Sequence, residues 1–208
     1  MLLKKYFDRG YSIEIISRIF KRSTVSIELM IKKTEIEKFL KERKIKKLIH
    51  FTDIRNLKSI RKHGLLPIKR LKEENIHYYY NDNERFDNQL GGISVSITSR
   101  NNHLLRSYHA RENRKWAEIE IDSSVAKTHN CLFYYCNAAS SDFRDTSTEH
   151  LSSFLALKDM FSESISTNKR TILRNNKASN LTTDDQAEII VQWKIPKAKL
   201  LCWREINV

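Results

Sequence analysis

The residues of this chain whose types and spacing suit chemistry fall in four short runs. His50 and Thr52 stand two apart in the run Leu48 to Thr52, so an extended backbone turns both side chains to the same face. Arg85 lies in Arg85-Phe86-Asp87, and a rigid guanidinium matches the oxygens of a phosphate. Ser94 and Ser96 alternate with Ile93, Val95 and Ile97. Glu188 heads the apolar run Glu188-Ile189-Ile190-Val191, where a carboxylate can stabilise a developing cation or take a proton. Each also has an ordinary reading: a hydrogen-bonded strand histidine, a solvated arginine, an exposed first residue of a strand. Their order along the chain is what carries information. Cys131, Cys136 and Cys202 match the spacing of neither a zinc site nor a disulfide framework, so they read as reduced packing residues, and no metal is expected.

Elements of mixed type must position these groups. Leu48 to Thr52, Ile93 to Thr98, Trp116 to Ile121, Cys131 to Cys136 and Glu188 to Trp193 read as strands; Ile189, Ile190 and Val191 in a row predict one covered on both faces. Leu57 to His63 reads as a helix stopped by Gly64 in a left-handed conformation. From Phe161 to Asp185 the chain is polar, with Lys169, Arg170, Arg174 and Lys177 and a weak helical signal, and reads as a long loop of the kind that is functional or mobile. The class is α+β.

The N-terminal segment differs. Ser12 can cap a helix with apolar positions Ile13, Ile16, Ile19 and Phe20, and Ser23 or Thr24 can cap a second carrying Val25, Ile27 and Met30. The pair resembles a helix-turn-helix unit, in which Ser23, Thr24, Ser26 and Lys32 would face nucleic acid; a plain packing role is the alternative. Thr34 to Lys47 continues as a charged helix without a flexible linker, giving a division into residues 1–47 and 48–208.

Composition bounds the rest. The 208 residues carry 38 Lys+Arg against 25 Asp+Glu, a net +13, with 40% hydrophobic residues to build a core. Residues 1–47 hold 14 basic and 6 acidic residues (+8), and the remainder 24 and 19 (+5), so the excess concentrates in the N-terminal segment and points to a polyanion. Four Gly and two Pro exclude a collagen-like or Gly-rich linker protein. No apolar stretch approaches the roughly 18–20 residues that span a bilayer, and the first residues lack a signal-peptide core, so no membrane association and a cytoplasmic location are expected.

The ordered series His50-Phe51-Thr52, Asn56-Leu57, His63-Gly64-Leu65-Leu66, Arg85-Phe86-Asp87, Gly92 to Ile97 and Asp185-Gln186-Ala187-Glu188 resembles the DarT family of nucleic-acid ADP-ribosyltransferases, toxins of toxin-antitoxin and phage-defence systems. The similarity takes in Asn102, Trp116-Ala117 to Asp122 and Asn137-Ala138-Ala139-Ser140, and so spans Ile49 to Ile195. It implies an ADP-ribosyltransferase-like split mixed β-sheet around a NAD cleft, with NAD as substrate and neither metal nor covalent enzyme intermediate. Under it Glu188 and Arg85 are catalytic, and His50, Phe51, Thr52, Ser59, Gly64, Leu65, Arg85 and Ser94 hold NAD. The segment before Glu188 reads the acceptor, with Lys169, Arg170, Arg174, Lys177 and Arg100 expected on nucleic acid, single-stranded DNA or RNA. Tyr78, Tyr79 and Tyr80 could stack on a base or on nicotinamide. Thr98-Ser99-Arg100-Asn101-Asn102 departs from the family, which often has an aromatic or proline there. A cognate antitoxin is the implied protein partner. Two other readings stay open: transfer to a protein side chain, and a helix-turn-helix regulator whose second domain senses a nucleotide.

Overall fold

The protein was analysed as a computed structural model that describes residues 2–79, 91–111 and 114–207. Three helices come first: α1 (Leu2–Asp8), α2 (Ile13–Phe20) and α3 (Thr24–Glu42). They are followed by β1 (Lys47–Asp53), α4 (Leu57–His63), α5 (Ile68–Glu73), β2 (Ile93–Ile97), α6 (Asn102–Arg111) and β3 (Trp116–Asp122). Next come α7 (Val125–Thr128), β4 (Cys131–Tyr134), α8 (Thr148–Leu151), α9 (Phe154–Asp159), β5 (Ser164–Ser166), β6 (Thr171–Leu173), β7 (Glu188–Val191) and β8 (Leu200–Ile206).

Six strands form one sheet in the order β4-β7-β2-β1-β3-β8, and β5 and β6 form a separate hairpin. Every ladder is antiparallel, so the sheet mixes with helices but not in strand direction. Its centre is where the site arises. β1 pairs with β3 along its whole length, from Lys47–Asp122 to Asp53–Trp116, and β2 pairs with β7 over Ile93–Val191 to Val95–Ile189. Between β1 and β2 the described ladder consists of Leu48–Ile97 and Ile49–Ser96. Past that point the two halves part, leaving His50 to Asp53 on one side of a gap and Ile93 to Val95 on the other. This is the expected split.

Packing explains the strand patterns. β7 is buried at all four residues, as its unbroken apolar run requires, with Ile189 and Val191 in the main core and Ile190 against Leu132 and Phe143 on the opposite face. Gly64 ends α4 with φ 80° and ψ −172°, a positive φ but an extended ψ rather than the left-handed helical conformation. A Cβ there would sit 2.5 Å from the Ile195 carbonyl oxygen, to which the Leu65 N–H bonds, so the residue must lack a side chain.

Ser12 and Ser23 are the N-caps, their hydroxyls accepting the N–H of Ile15 and Ser26. The second helix is longer than its caps suggested: Thr24 to Glu42 is one α-helix. α1 supplies Leu3 to a small core with Ile16, Ile27 and Ile31. Ile19 and Val25, expected on the packed face, are exposed, because α1 covers the side marked by Ile16 and Ile27 instead. Further along α3, Ile36 and Leu40, with Ile45 just beyond, pack in the main core beside Leu48, Ile60 and Ile97. A cut after residue 47 therefore runs through a shared core.

Candidate active site

A cavity of about 190 Å³ lies in the gap where β1 and β2 part. β1 contributes His50, Phe51 and Thr52, α4 and its end contribute Ser59, Gly64 and Leu65, β2 contributes Ser94 and Ser96, and β7 contributes Glu188. Residues more than 130 positions apart in sequence meet because β7 is inserted beside β2, at the centre of the sheet.

His50 spans the split: its Nδ1 lies 2.8 Å from the Ser94 carbonyl oxygen. A carbonyl can only accept, so Nδ1 carries the proton in this bond. Thr52 is fixed from α4's side. Asn56 donates from Nδ2 to Thr52 Oγ1 at 2.9 Å and to the Tyr79 carbonyl at 2.9 Å, and accepts the Tyr79 N–H at 2.8 Å. The side-chain amide of Asn56 thus pairs with the backbone of Tyr79 as a neighbouring strand would. Arg55 supports the same residue, its guanidinium 3.8 Å from the Tyr79 ring centre while Nε and Nη2 bind both oxygens of Asp53 at 2.9 and 2.6 Å. Burial pushes the Asp53 carboxyl up, but the Arg55 side-chain and backbone donors outweigh it and hold the group below its ordinary value. Tyr78 and Tyr79 line the cavity, while Tyr80 and Arg85 lie outside the described residues.

Glu188 is 6% exposed at the head of β7, opposite Tyr134 of β4. One step beyond the last β2–β7 pair, Val95–Ile189, Glu188 comes level with Ser96, and residues opposite each other across a ladder share a face. The carboxylate is thereby placed on the cavity side of the sheet, with Ser96 beside it. Asn101, which the sequence passed over in favour of Asn102, is buried and lines the same cavity; Asn102 is the exposed first residue of α6.

Four of the five basic residues expected on nucleic acid are engaged within the protein. Arg100 donates to Glu118 at 2.7 Å, and Glu118, 3% exposed, also accepts from Arg204. Arg174 is 5% exposed, bonded to Thr183 Oγ1 and the Ala178 carbonyl with its guanidinium over Phe161. Arg170 binds both oxygens of Asp184 at 3.2 Å, and Lys177 pairs with Asp185 at 2.6 Å. Lys169 is exposed in the turn of the β5–β6 hairpin. The polar stretch before Glu188 is therefore no unstructured loop. It holds a hairpin paired from Ser164–Leu173 to Ser166–Thr171 and a buried Thr182-Thr183-Asp184 turn. Arg170 and Lys177 pair with Asp184 and Asp185 inside it, contacts that short strands do not reveal in a sequence.

Cys131 and Cys136 are buried thiols, each pushed up to about 12 by burial, whereas Cys202, expected to pack, is exposed on β8. Among the described residues no group of three or more His, Cys, Asp or Glu is placed to hold a metal ion, and no helix is long and apolar enough to cross a membrane.

The sheet thus parts over a cleft, with a strand histidine and threonine on one lip and a buried glutamate on the other, in keeping with the split sheet that the resemblance to ADP-ribosyltransferases implies. The family model described as "ssDNA thymidine ADP-ribosyltransferase, DarT" matches residues 49–203, and the chain belongs to the DarT family. Among solved structures, Thermosipho africanus DarTG in complex with ADP-ribose matches with a TM-score of 0.46 and 14% identity, over 76% of this chain. The match covers 43% of that longer chain. No curated protein matches.

Proposed function

We propose that the protein transfers ADP-ribose from NAD to the thymine base of single-stranded DNA. The observation that carries this reading is the convergence of His50, Thr52, Ser94 and Glu188 on one cavity inside a chain that belongs to the DarT family. Departure of nicotinamide leaves positive charge on the ribose, and the Glu188 carboxylate is the group positioned to stabilise it. The same carboxylate takes the proton from the attacking imide nitrogen, which is a poor nucleophile until deprotonated. His50 and Thr52 contact the ribose of the cofactor, and Phe51, Ser59, Gly64, Leu65 and Ser94 complete the NAD site. Arg85 is assigned to the cofactor's phosphates. Single-stranded substrate spares the few kcal/mol of unstacking a base from a duplex. Lys169, exposed in the β5–β6 turn, is assigned to a phosphate of the acceptor strand. By the same family membership the protein acts as a cytoplasmic toxin restrained by a cognate antitoxin.

Incubation with labelled NAD and single-stranded oligonucleotides tests the reading. Label is expected on thymine-containing DNA with the wild type and not with Glu188→Ala, which still binds NAD within a few-fold because the group acts in the transition state. Label on RNA would change the acceptor, label on protein would replace it, and no transfer to any of the three would sink the proposal.

A further inference from the structure

Asn101 closes the loop after β2 and is 1% exposed. Its Oδ1 accepts the Leu104 N–H at 2.9 Å, capping the first turn of α6. A backbone N–H can only donate, so this bond sets the orientation of the side-chain amide, with the oxygen toward Leu104 and the nitrogen turned away. Nδ2 is buried and meets no acceptor among the described residues. Buried donors without partners are rare in folded proteins, and one that lines a ligand cleft asks for an acceptor from outside. Thr98, His109 and Trp116 also have buried polar atoms without partners, but none of these lines the cleft.

We infer that the Asn101 amide donates a hydrogen bond to the carboxamide oxygen of nicotinamide, and so selects NAD over ligands that lack this ring. The inference rests on the NAD reading above and adds a residue to it. Chemistry narrows the partner atom. A side-chain N–H₂ is a pure donor, and the neutral pure acceptors of NAD are the carboxamide oxygen and the adenine ring nitrogens, whereas ribose hydroxyls both donate and accept. Adenine is common to NAD and ADP-ribose, so titration with both ligands tells the two acceptors apart. The phosphates call for a cation. Depth separates cofactor from acceptor base: Asn101 is almost wholly enclosed and lines the same cavity as Ser96 and Glu188, so a ligand that reaches it must enter before the acceptor. The bond costs nothing in rearrangement, because the Leu104 cap already holds the amide in place.

Asn101→Ser tests the inference, since serine keeps a capping oxygen for Leu104 and removes the donor. Calorimetric titration of the full chain with NAD and, separately, with ADP-ribose reads the result. NAD affinity is expected to fall about tenfold, with ADP-ribose affinity unchanged within twofold, the size of one lost hydrogen bond to a buried group. Equal weakening of both ligands would make Asn101 a structural residue, and unchanged NAD affinity would remove it from the site. Either result overturns the inference. Should Asn101→Ser fail to fold, Asn101→Asp preserves shape and cap while presenting an acceptor to the carboxamide oxygen, and the same split between NAD and ADP-ribose is required. A wild-type protein that binds neither ligand would instead overturn the proposed function, and this inference with it.

Discussion

Asn56→Ala is the perturbation that most directly probes how the cleft is held. The side chain is buried and makes three hydrogen bonds, one to Thr52 Oγ1 and two to the backbone of Tyr79. At roughly 0.5–1.5 kcal/mol each, their loss removes about 2–4 kcal/mol from the arrangement. Where that energy appears depends on what lets go. If residues 76–79 swing away from α4 while the sheet stays folded, the loss is felt by the ligand: about 2 kcal/mol corresponds to a roughly 30-fold weaker NAD Kd, with little change in Tm. If the loss is shared by the whole fold, Tm drops by roughly 2–4 °C per kcal/mol, about 5–15 °C in all. The Arg55 guanidinium stacked on Tyr79 still holds the ring in the variant, which favours the smaller end of each range. Calorimetry with NAD and a thermal melt on the same sample separate the two cases. A cycle with Thr52→Val should return a coupling of at least about 0.5 kcal/mol for the contacting pair. An Asn56→Ala protein with Kd within twofold and Tm within about 1 °C of wild type would refute the claim that this amide organises the cleft.

Gly64→Ala forces a Cβ to 2.5 Å from the Ile195 carbonyl at φ 80°, and is expected to cost roughly 1–3 kcal/mol or more. A melt with unchanged Tm would show that the approach of Leu65 to Ile195 relaxes freely. The Asp53 carboxyl is held below its ordinary value in the folded protein, so its contribution to stability is present in full above the unfolded pKa of roughly 4 and is lost as pH falls through the lower folded value. Melts from pH 7 to 3 should therefore fall less steeply in Asp53→Asn than in wild type, starting from a lower Tm at neutral pH. Parallel curves would remove Asp53 as a source of acid sensitivity.

The parts of the fold that were legible in the sequence are those with a strong period or a definite stop. Alternation at Ile93, Val95 and Ile97 and at Ala117, Ile119 and Ile121 marks β2 and β3, and Leu57–His63 is bounded by Gly64. What was not legible lacked either signal. β5 and β6 have three residues each, too few to show alternation, and α1 has seven. α6 is mostly polar, with Leu105 its buried residue. For the site, residue types were readable but side-chain directions were not. Asn101 and Asn102 are chemically identical neighbours, and only the cap to Leu104 turns one inward and leaves the other in solvent. Asn56 stood in the motif series without a role, because its partner Tyr79 is 23 residues away and bonds through its backbone. Arg174 reads as a phosphate ligand by type, yet it is enclosed by Phe161, Thr183 and Ala178, contacts that no local pattern announces.

α3 begins in one hydrophobic core and ends in another, and Arg43 at its C-terminus bonds the Ser179 carbonyl at 3.1 Å and lies over the Phe161 ring. Nineteen residues of continuous helix make a shaft about 28 Å long. The N-terminal helices are accordingly not a detachable module on a tether. The far end of the shaft rests, through Arg43, on Phe161 and Ser179 in the segment that leads into Glu188. For anyone recombining such proteins, the interchangeable unit is therefore the whole shaft together with the stretch it contacts, and a graft that keeps the catalytic sheet but replaces the first helices alone would leave the main core without Ile36 and Leu40.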